Sequence, residues 1–172
     1  DADYVIGRVL GSPSNRYSLE LANGRLMDVM EGARVVGAFG KRTATLEAVG
    51  DWEGIDDDGV FEALTGAGLF GKATSTAAWL GKMISLTYEG HLTKNGSKLN
   101  MGDFVAPVSA SEFSFPVILL VGTSMSSGKT TTGRIIIHEL KRAGLRVAGV
   151  KFTGAGRYRD ILSFQDAGAD SI

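Results

Sequence analysis

The chain has 172 residues, of which 18 are basic and 19 acidic, and its formal net charge is −1 at pH 7. This balance provides no basic surface of the kind that binds nucleic acids or anionic membranes, so we expect neither partner. Cysteine is absent, which excludes disulfides and thiolate chemistry and fits a cytoplasmic protein. No apolar run reaches the ~18 residues of a membrane span. Because the chain begins with Asp1 rather than Met, we expect it to be part of a longer product.

Residues 1–110 contain short runs of β character separated by Gly, Asn and Asp. Asn-Gly at positions 23–24 and 95–96 indicates two hairpins, since this pair suits the positive φ of a tight turn. The acidic stretch 51–59 predicts a surface loop, and 60–80 could form either a short helix or further strands. The predicted strands are 4–10, 17–21, 25–29, 34–39, 44–49 and 83–88. Their close spacing predicts a β-rich domain, either a small antiparallel barrel or a sandwich.

The pattern changes after a Pro- and Ser-containing linker at 106–116. The apolar run 117–121 predicts a parallel strand that is buried on both faces. Residues 130–143 have helical spacing and are followed by Gly144, a residue typical of helix C-termini. The run 145–150 predicts a second parallel strand. We therefore expect a mixed α+β fold, with a β-rich domain at 1–110 and the start of a P-loop α/β domain at 116–172.

The segment between the predicted strand and helix reads Gly122-Thr-Ser-Met-Ser-Ser-Gly128-Lys129-Thr130. A helix N-terminus offers unpaired N–H groups and a positive dipole end, and both attract phosphate. Glycines let the backbone wrap closely around an anion, and a lysine followed by a hydroxyl can reach phosphate oxygens and Mg²⁺. The residues expected to contact nucleotide are Gly122, Thr123, Ser126, Ser127, Gly128, Lys129, Thr130 and Thr131. The alternative is a serine-rich turn that only caps the helix.

Five residues separate the two glycines, whereas the common phosphate-loop pattern has four. A second segment, Gly66 to Ala73, fits the four-residue spacing better. Its Lys72 is followed by Ala73, which has no hydroxyl for a metal, and no buried strand is predicted before it. We therefore favour the loop at Gly122.

The loop Gly-Thr-x-x-x-x-Gly-Lys-Thr resembles that of dethiobiotin synthetase and its P-loop relatives. Gly149-Val-Lys151 resembles the second strand of that family, and Arg159-Asp160 with Gln165 resembles its Asp-bearing stretch near Mg²⁺. Six residues separate Asp160 from Ala167-Gly168-Ala169, as in the adaptor protein of molybdopterin-guanine dinucleotide synthesis. An uncharacterised two-domain family is the third alternative. These likenesses cover about 117–170 and none extends to 1–110.

The resemblance implies that Lys129 and Lys151 are catalytic, and that Thr130 and Asp160 hold Mg²⁺. It implies ATP or GTP with Mg²⁺ as cofactors and an enzyme that activates a small-molecule acceptor by phosphoryl transfer. A nucleotide-dependent switch or adaptor is the alternative, and a homodimer is left open. A second acidic signature, an apolar strand ending in Asp, is missing from the sequence. We expect it to follow Ile172, and we expect residues 1–172 alone to bind nucleotide weakly.

Overall fold

The computed structural model describes residues 1–11, 18–108, 112, 114–154 and 156–172. The chain divides into two compact units, one comprising Asp1–Leu21 with Arg25–Ala106 and the other Ala22–Gly24 with Pro107–Ile172. A seven-stranded sheet lies in the first unit and two α-helices lie in the second. The prediction of a mixed fold with a β-rich N-terminal part is confirmed. Across these described ranges, no helix is both long and apolar enough to cross a bilayer.

The strands of the first unit are short, and Gly-containing turns separate many of them. They are β1 Tyr4–Leu10, β2 Leu19–Glu20, β3 Leu26–Met27, β4 Arg34–Phe39, β5 Lys41–Arg42, β6 Ala48–Asp51, β7 Val60–Ala63, β8 Leu69–Thr76, β9 Ser85–His91, β10 Thr93–Lys94 and β11 Ser97–Lys98. Single 3₁₀ turns occupy Trp52–Gly54, Ala78–Leu80 and Met101–Phe104. Two small hairpins, β2–β3 and β10–β11, stand apart from the main sheet.

The main sheet closes on itself. Its order is β4-β1-β9-β7-β8-β6-β5, and β4 also pairs with β8 in parallel, with Ala38 opposite Leu69 and Phe39 opposite Phe70. Because β4, the first strand in this order, pairs with β8, the fifth, the strands β4, β1, β9, β7 and β8 form a closed ring. Between the two predicted alternatives, the pairings therefore favour a barrel over a sandwich. The remaining ladders are antiparallel.

Closure depends on a close backbone approach at Gly37. A Cβ atom at this position would collide with the Gly68 carbonyl oxygen and would lie 2.5 Å from two ring atoms of Phe70. The same carbonyl accepts a 2.8 Å hydrogen bond from the Ala38 N–H. Only glycine leaves room for this contact between β4 and β8.

The ring encloses the hydrophobic core of the first unit. Side chains of β1 alternate between buried and partly exposed, as expected for a strand with one face on a core. The largest fully buried side chains are Phe61, Phe70, Leu64, Ile84, Leu86, Val5 and Val9. Burial of such side chains at about 1.5–3 kcal/mol each supplies the main stabilisation of this unit.

The sequence predicted some strand boundaries correctly and missed others. The predictions 4–10 and 34–39 match β1 and β4, and both Asn-Gly turns join paired strands. The prediction 44–49 starts four residues too early, because β6 is Ala48–Asp51, where its residues pair with β8. The undecided segment 60–80 forms β7, β8 and a 3₁₀ turn. Tyr17, in the predicted strand 17–21, lies outside the described residues.

The second unit contains two α-helices, α1 at Lys129–Arg142 and α2 at Tyr158–Asp166. Helix α1 matches the helix predicted at 130–143 and begins one residue earlier. Lys141 and Arg142 lie in its last turn, where positive charge opposes the negative end of the helix dipole. Gly144 follows with a φ of 78°, a conformation that suits glycine at a helix end.

The two predicted parallel strands are not formed in the described part of this unit, and this corrects the sequence-based expectation. Residues 117–121 make no ladder, and Val117, Ile118, Leu119 and Val121 are 59–81% exposed. In 145–150 the one bridge is a parallel contact between Ala148 and Ser171. An apolar run becomes a strand only when a neighbouring strand takes up its N–H and C=O groups, and sequence pattern does not supply that neighbour.

One aromatic side chain joins the elements of the second unit. Phe164 of α2 is buried, and its ring lies 3.0 Å from the position that a Cβ of Gly133 in α1 would occupy. A Cβ on Gly149 would lie 2.9 Å from Phe164 on another side. Two glycines therefore leave room for the ring between α1 and the segment after it, and this packing sets the positions of the residues near the loop.

Asp170 makes a second connection within this unit. Its carboxylate accepts hydrogen bonds from Lys141 Nζ at 2.7 Å and from the Val147 backbone N–H at 2.7 Å. The hydrogen bond from Lys141, followed by that from Val147, holds the pKa of Asp170 below the ordinary value of 3.8. The ionised carboxylate thus links the end of α1 to residue 147.

We expect Asp170→Asn to destabilise the second unit at neutral pH. Because the pKa is lowered in the folded state, the ionised form stabilises the fold above about pH 4 and this contribution disappears as the pH falls through the folded pKa. The urea midpoint of the helical signal should therefore be lower in the variant at pH 7, and the two proteins should converge under acidic conditions. Asp166→Asn removes an exposed carboxylate from α2 and serves as the matched control. A constant difference between wild type and Asp170→Asn at all pH values would contradict this assignment.

Candidate phosphate-binding site

The loop that precedes α1 ends in a backbone conformation suited to glycine. Gly128 is the N-cap residue with a φ of 88°, and no side chain forms a capping hydrogen bond there. The first N–H groups of an α-helix have no acceptor within the helix, so they require a side chain, water or a ligand. The alternative interpretation of the loop, a serine-rich helix cap, therefore has no capping side chain to support it.

Lys129 folds back across the loop. Its Nζ donates to the Ser124 carbonyl at 2.6 Å and to Ser127 Oγ at 3.0 Å. A Cβ on Gly122 would collide with Ser127 Oγ and would lie 3.0 Å from Cδ of Lys129. The ammonium group is thus held against the loop backbone, and the absence of a side chain at Gly122 leaves room for the Lys129 and Ser127 side chains.

Three further predicted residues meet beside the first turn of α1. Lys151 Nζ lies 3.2 Å from Thr130 Oγ1 and 3.1 Å from Asp160 Oδ2. The side chains of Lys151 and Asp160 are 17% and 28% exposed, so this ion pair is partly shielded from water. The site thus combines the Thr130 hydroxyl from α1, the Asp160 carboxylate from α2 and the Lys151 ammonium group from the segment between the two helices.

The remaining predicted residues lie around the loop with their side chains exposed. Thr123 and Ser126 are exposed in the loop, and Ser126 has a positive φ of 63°. Thr131 is exposed in the first turn of α1. The sequence reasoning missed Ser124, whose carbonyl accepts from Lys129, because a backbone acceptor leaves no trace in residue type.

The competing segment at Gly66–Ala73 has a different structure. Gly68 lies in the turn between β7 and β8 with a φ of 83°, and Lys72 belongs to β8. Lys72 Nζ lies 3.4 Å from the Val60 carbonyl and 3.6 Å from Asp56 Oδ2. The segment has a hairpin where a phosphate loop requires a helix N-terminus.

The side chains of the candidate site are mostly positively charged, with one carboxylate among them. Arg159 Nε lies 4.0 Å from Asp160 Oδ1 on its solvent side. Within the described residues, no group of three His, Cys, Asp or Glu side chains converges to hold a metal ion. A divalent cation at Thr130 and Asp160 would therefore need ligands from phosphate and water, as Mg²⁺ in nucleotide sites commonly has.

Comparison with protein-family models finds no family that matches this chain. Comparisons with curated proteins and with solved structures find no similar protein either.

Proposed function

We propose that this chain is part of a nucleotide-binding P-loop protein, an enzyme that uses Mg·ATP to activate a small-molecule acceptor by phosphoryl transfer. The observation that carries the proposal is the position of Lys129, folded back over the loop to Ser124 and Ser127 at an N-terminus of α1 without a side-chain cap. Phosphate is the ligand that best matches an ammonium group and uncapped helix N–H groups together.

The residues present fit a nucleotide phosphate chain. The backbone of the loop from Gly122 to Gly128 would surround the phosphates, with Lys129 neutralising the terminal ones. When bound, Mg²⁺ would supply charge neutralisation at the phosphate oxygens, and Thr130 and Asp160 would hold it. In this role, Asp160 would give up part of its contact with Lys151 and bind the metal ion instead.

Lys151 completes the proposed catalytic group. Its ammonium lies beside both Thr130 and Asp160, so release from the carboxylate leaves it next to the expected phosphates. There it would stabilise negative charge that develops during transfer or would bind the carboxylate of an acceptor. Electrostatic stabilisation of this kind is the main contribution that proteins make to phosphoryl transfer.

A nucleotide-dependent switch or adaptor is the second candidate. The small number of acidic side chains at the site favours this candidate. Asp160 is the carboxylate near Thr130, and among the described residues no group of three His, Cys, Asp or Glu side chains converges there. A site with few acids to order an attacking group is suited to slow hydrolysis and to reporting the bound nucleotide through a loop.

Nucleotide turnover distinguishes the two candidates. We expect Mg·ATP to bind to the protein, tested with any residues that naturally follow Ile172, and hydrolysis or transfer to increase when pools of small carboxylic acids are added. Phosphate release measured with and without each pool provides the readout. Slow turnover that no acceptor accelerates, together with nucleotide-dependent association with a partner, would favour the switch. Binding of neither ATP nor GTP would contradict both.

A further inference from the structure

The first unit has a cleft that the sequence did not predict. It has a volume of about 440 Å³, within the range of small-molecule sites. The lining is mostly apolar and includes three aromatic side chains and three acidic residues: Phe39, Trp52, Tyr88, Glu53, Asp56 and Asp57. These residues come from β4, β9 and the 3₁₀ turn with its following loop, so only the closed sheet brings them together.

The aromatic rings present similarly oriented faces. The Trp52 and Phe39 centroids are 6.1 Å apart with an interplanar angle of 17°, and those of Tyr88 and Phe39 are 6.2 Å apart at 24°. Phe39 is buried, whereas Trp52 and Tyr88 are only partly covered. The face of an aromatic ring carries negative electrostatic potential and attracts cations within about 6 Å.

Neighbouring contacts fix the ring of Tyr88. Its hydroxyl lies 2.5 Å from Nδ1 of His91, and Nε2 of His91 lies 3.5 Å from Asp3 Oδ2. Burial, followed by repulsion from Lys98, lowers the pKa of His91, and Asp3 opposes this only in part. The imidazole is therefore neutral at pH 7 and adds no positive charge to the cleft.

The charges at the cleft are negative on balance. Lys41 lies 2.8 Å from Glu53, and Lys72 lies 3.6 Å from Asp56, so each of these carboxylates has a counterion. Asp57 is exposed, and its side chain forms no hydrogen bond or ion pair with the other described residues. A ligand that combines positive charge with apolar surface would thus match both the rings and the rim, whereas phosphate would be repelled.

We propose that this cleft binds an organic ammonium group, of the size of a trimethylated amine, against Trp52 and Tyr88 with Asp57 as its counter-charge. Recognition of alkylammonium groups by aromatic side chains needs accessible aromatic surface and nearby negative charge, and the lining of the cleft includes aromatic and acidic side chains. The proposal concerns the first unit alone and does not depend on nucleotide binding.

Titration with tetramethylammonium chloride, followed through the tryptophan indole N–H resonances in ¹H–¹⁵N spectra, tests the proposal. The protein has two tryptophans, and Trp79, which is 62% exposed and does not line the cleft, is the internal reference. We expect a saturable shift at Trp52 and none at Trp79, with ionic strength held constant by sodium chloride. A neutral molecule of similar shape, tert-butanol, should produce a much weaker response.

Variants separate the aromatic and charged contributions. We expect Asp57→Asn and Tyr88→Leu each to weaken binding about fivefold, whereas Glu31→Gln, which removes an exposed carboxylate elsewhere, should bind as wild type does. Equal responses to tetramethylammonium and tert-butanol would overturn the charge assignment, and the absence of any saturable Trp52 shift would overturn the proposal as a whole.

Discussion

Replacing Lys129 with alanine is expected to weaken binding of Mg·ATP and Mg·GTP by about 100-fold, which corresponds to about 2.7 kcal/mol. The ammonium group donates to Ser124 and Ser127 across the loop and is the cation nearest to the expected phosphates. A charged donor to phosphate contributes more than a neutral one, and alanine leaves the loop without it. Calorimetric titration of both nucleotides would measure the loss and also reveal the preferred base.

Arg134→Ala is the matched control for Lys129→Ala. Arg134 is an exposed cation on the same helix, so its removal changes net charge equally and leaves the loop intact. Equal affinities of Lys129→Ala and wild type would reject the loop as a phosphate site. Loss of affinity in both variants would show that general charge attraction, rather than contact by Lys129, accounts for binding.

The second large effect is expected at Asp160. We predict that Asp160→Asn removes most of the increase in nucleotide affinity that Mg²⁺ provides, by about 10- to 100-fold. Asparagine preserves size and one oxygen but lacks the negative charge that Mg²⁺ prefers in its ligands. ATP is titrated into wild type and variant, once with Mg²⁺ and once with excess chelator. The ratio of the two affinities gives the metal-dependent part of nucleotide binding for each protein.

A structural role for Asp160 would give a different result. Its ion pair with Lys151 could hold α2 near Thr130 without any contact to metal. In that case, Asp160→Asn should lower stability while leaving the ratio of affinities with and without Mg²⁺ unchanged. Asp166→Asn, on the same helix and exposed, controls for the loss of one negative charge.

The two proposed sites can fail independently. Lys129 and Asp160 belong to the second unit, whereas Trp52, Tyr88 and Asp57 belong to the first. Loss of nucleotide binding in Lys129→Ala therefore leaves the Trp52 resonance as a separate measure of the cleft. A protein that binds tetramethylammonium but no nucleotide would retain the cleft proposal and remove the P-loop proposal.

Local sequence signals accounted for the elements that depend on few partners. Short runs of β-forming residues indicated β1 and β4, and Asn95-Gly96 indicated a hairpin turn, because both signals act within a few residues. The helical spacing of α1 and the glycines around Lys129 likewise lie in one continuous segment. Such features are readable because backbone preference and side-chain pattern favour the same local structure.

Elements whose position depends on pairing were predicted poorly. Strand β6 begins at Ala48 rather than at residue 44 because its residues pair with β8, and apolar character alone does not determine that register. The apolar run 117–121 shows the same limit, since the described residues provide it with no ladder partner. Strand formation is a non-local event, and its hydrogen bonds come from residues distant in sequence.

By itself, the sequence determined the mixed fold class and the helix α1 that follows Gly128. Only the tertiary structure decided that the β-rich unit closes at Gly37, and that Lys151, Thr130 and Asp160 meet. It also decided that Phe39, Trp52 and Tyr88 share one cleft with acidic residues. The physical reason is that close approach of separate elements depends on side-chain volume and packing across the chain, whereas a sequence pattern specifies geometry only over neighbouring residues.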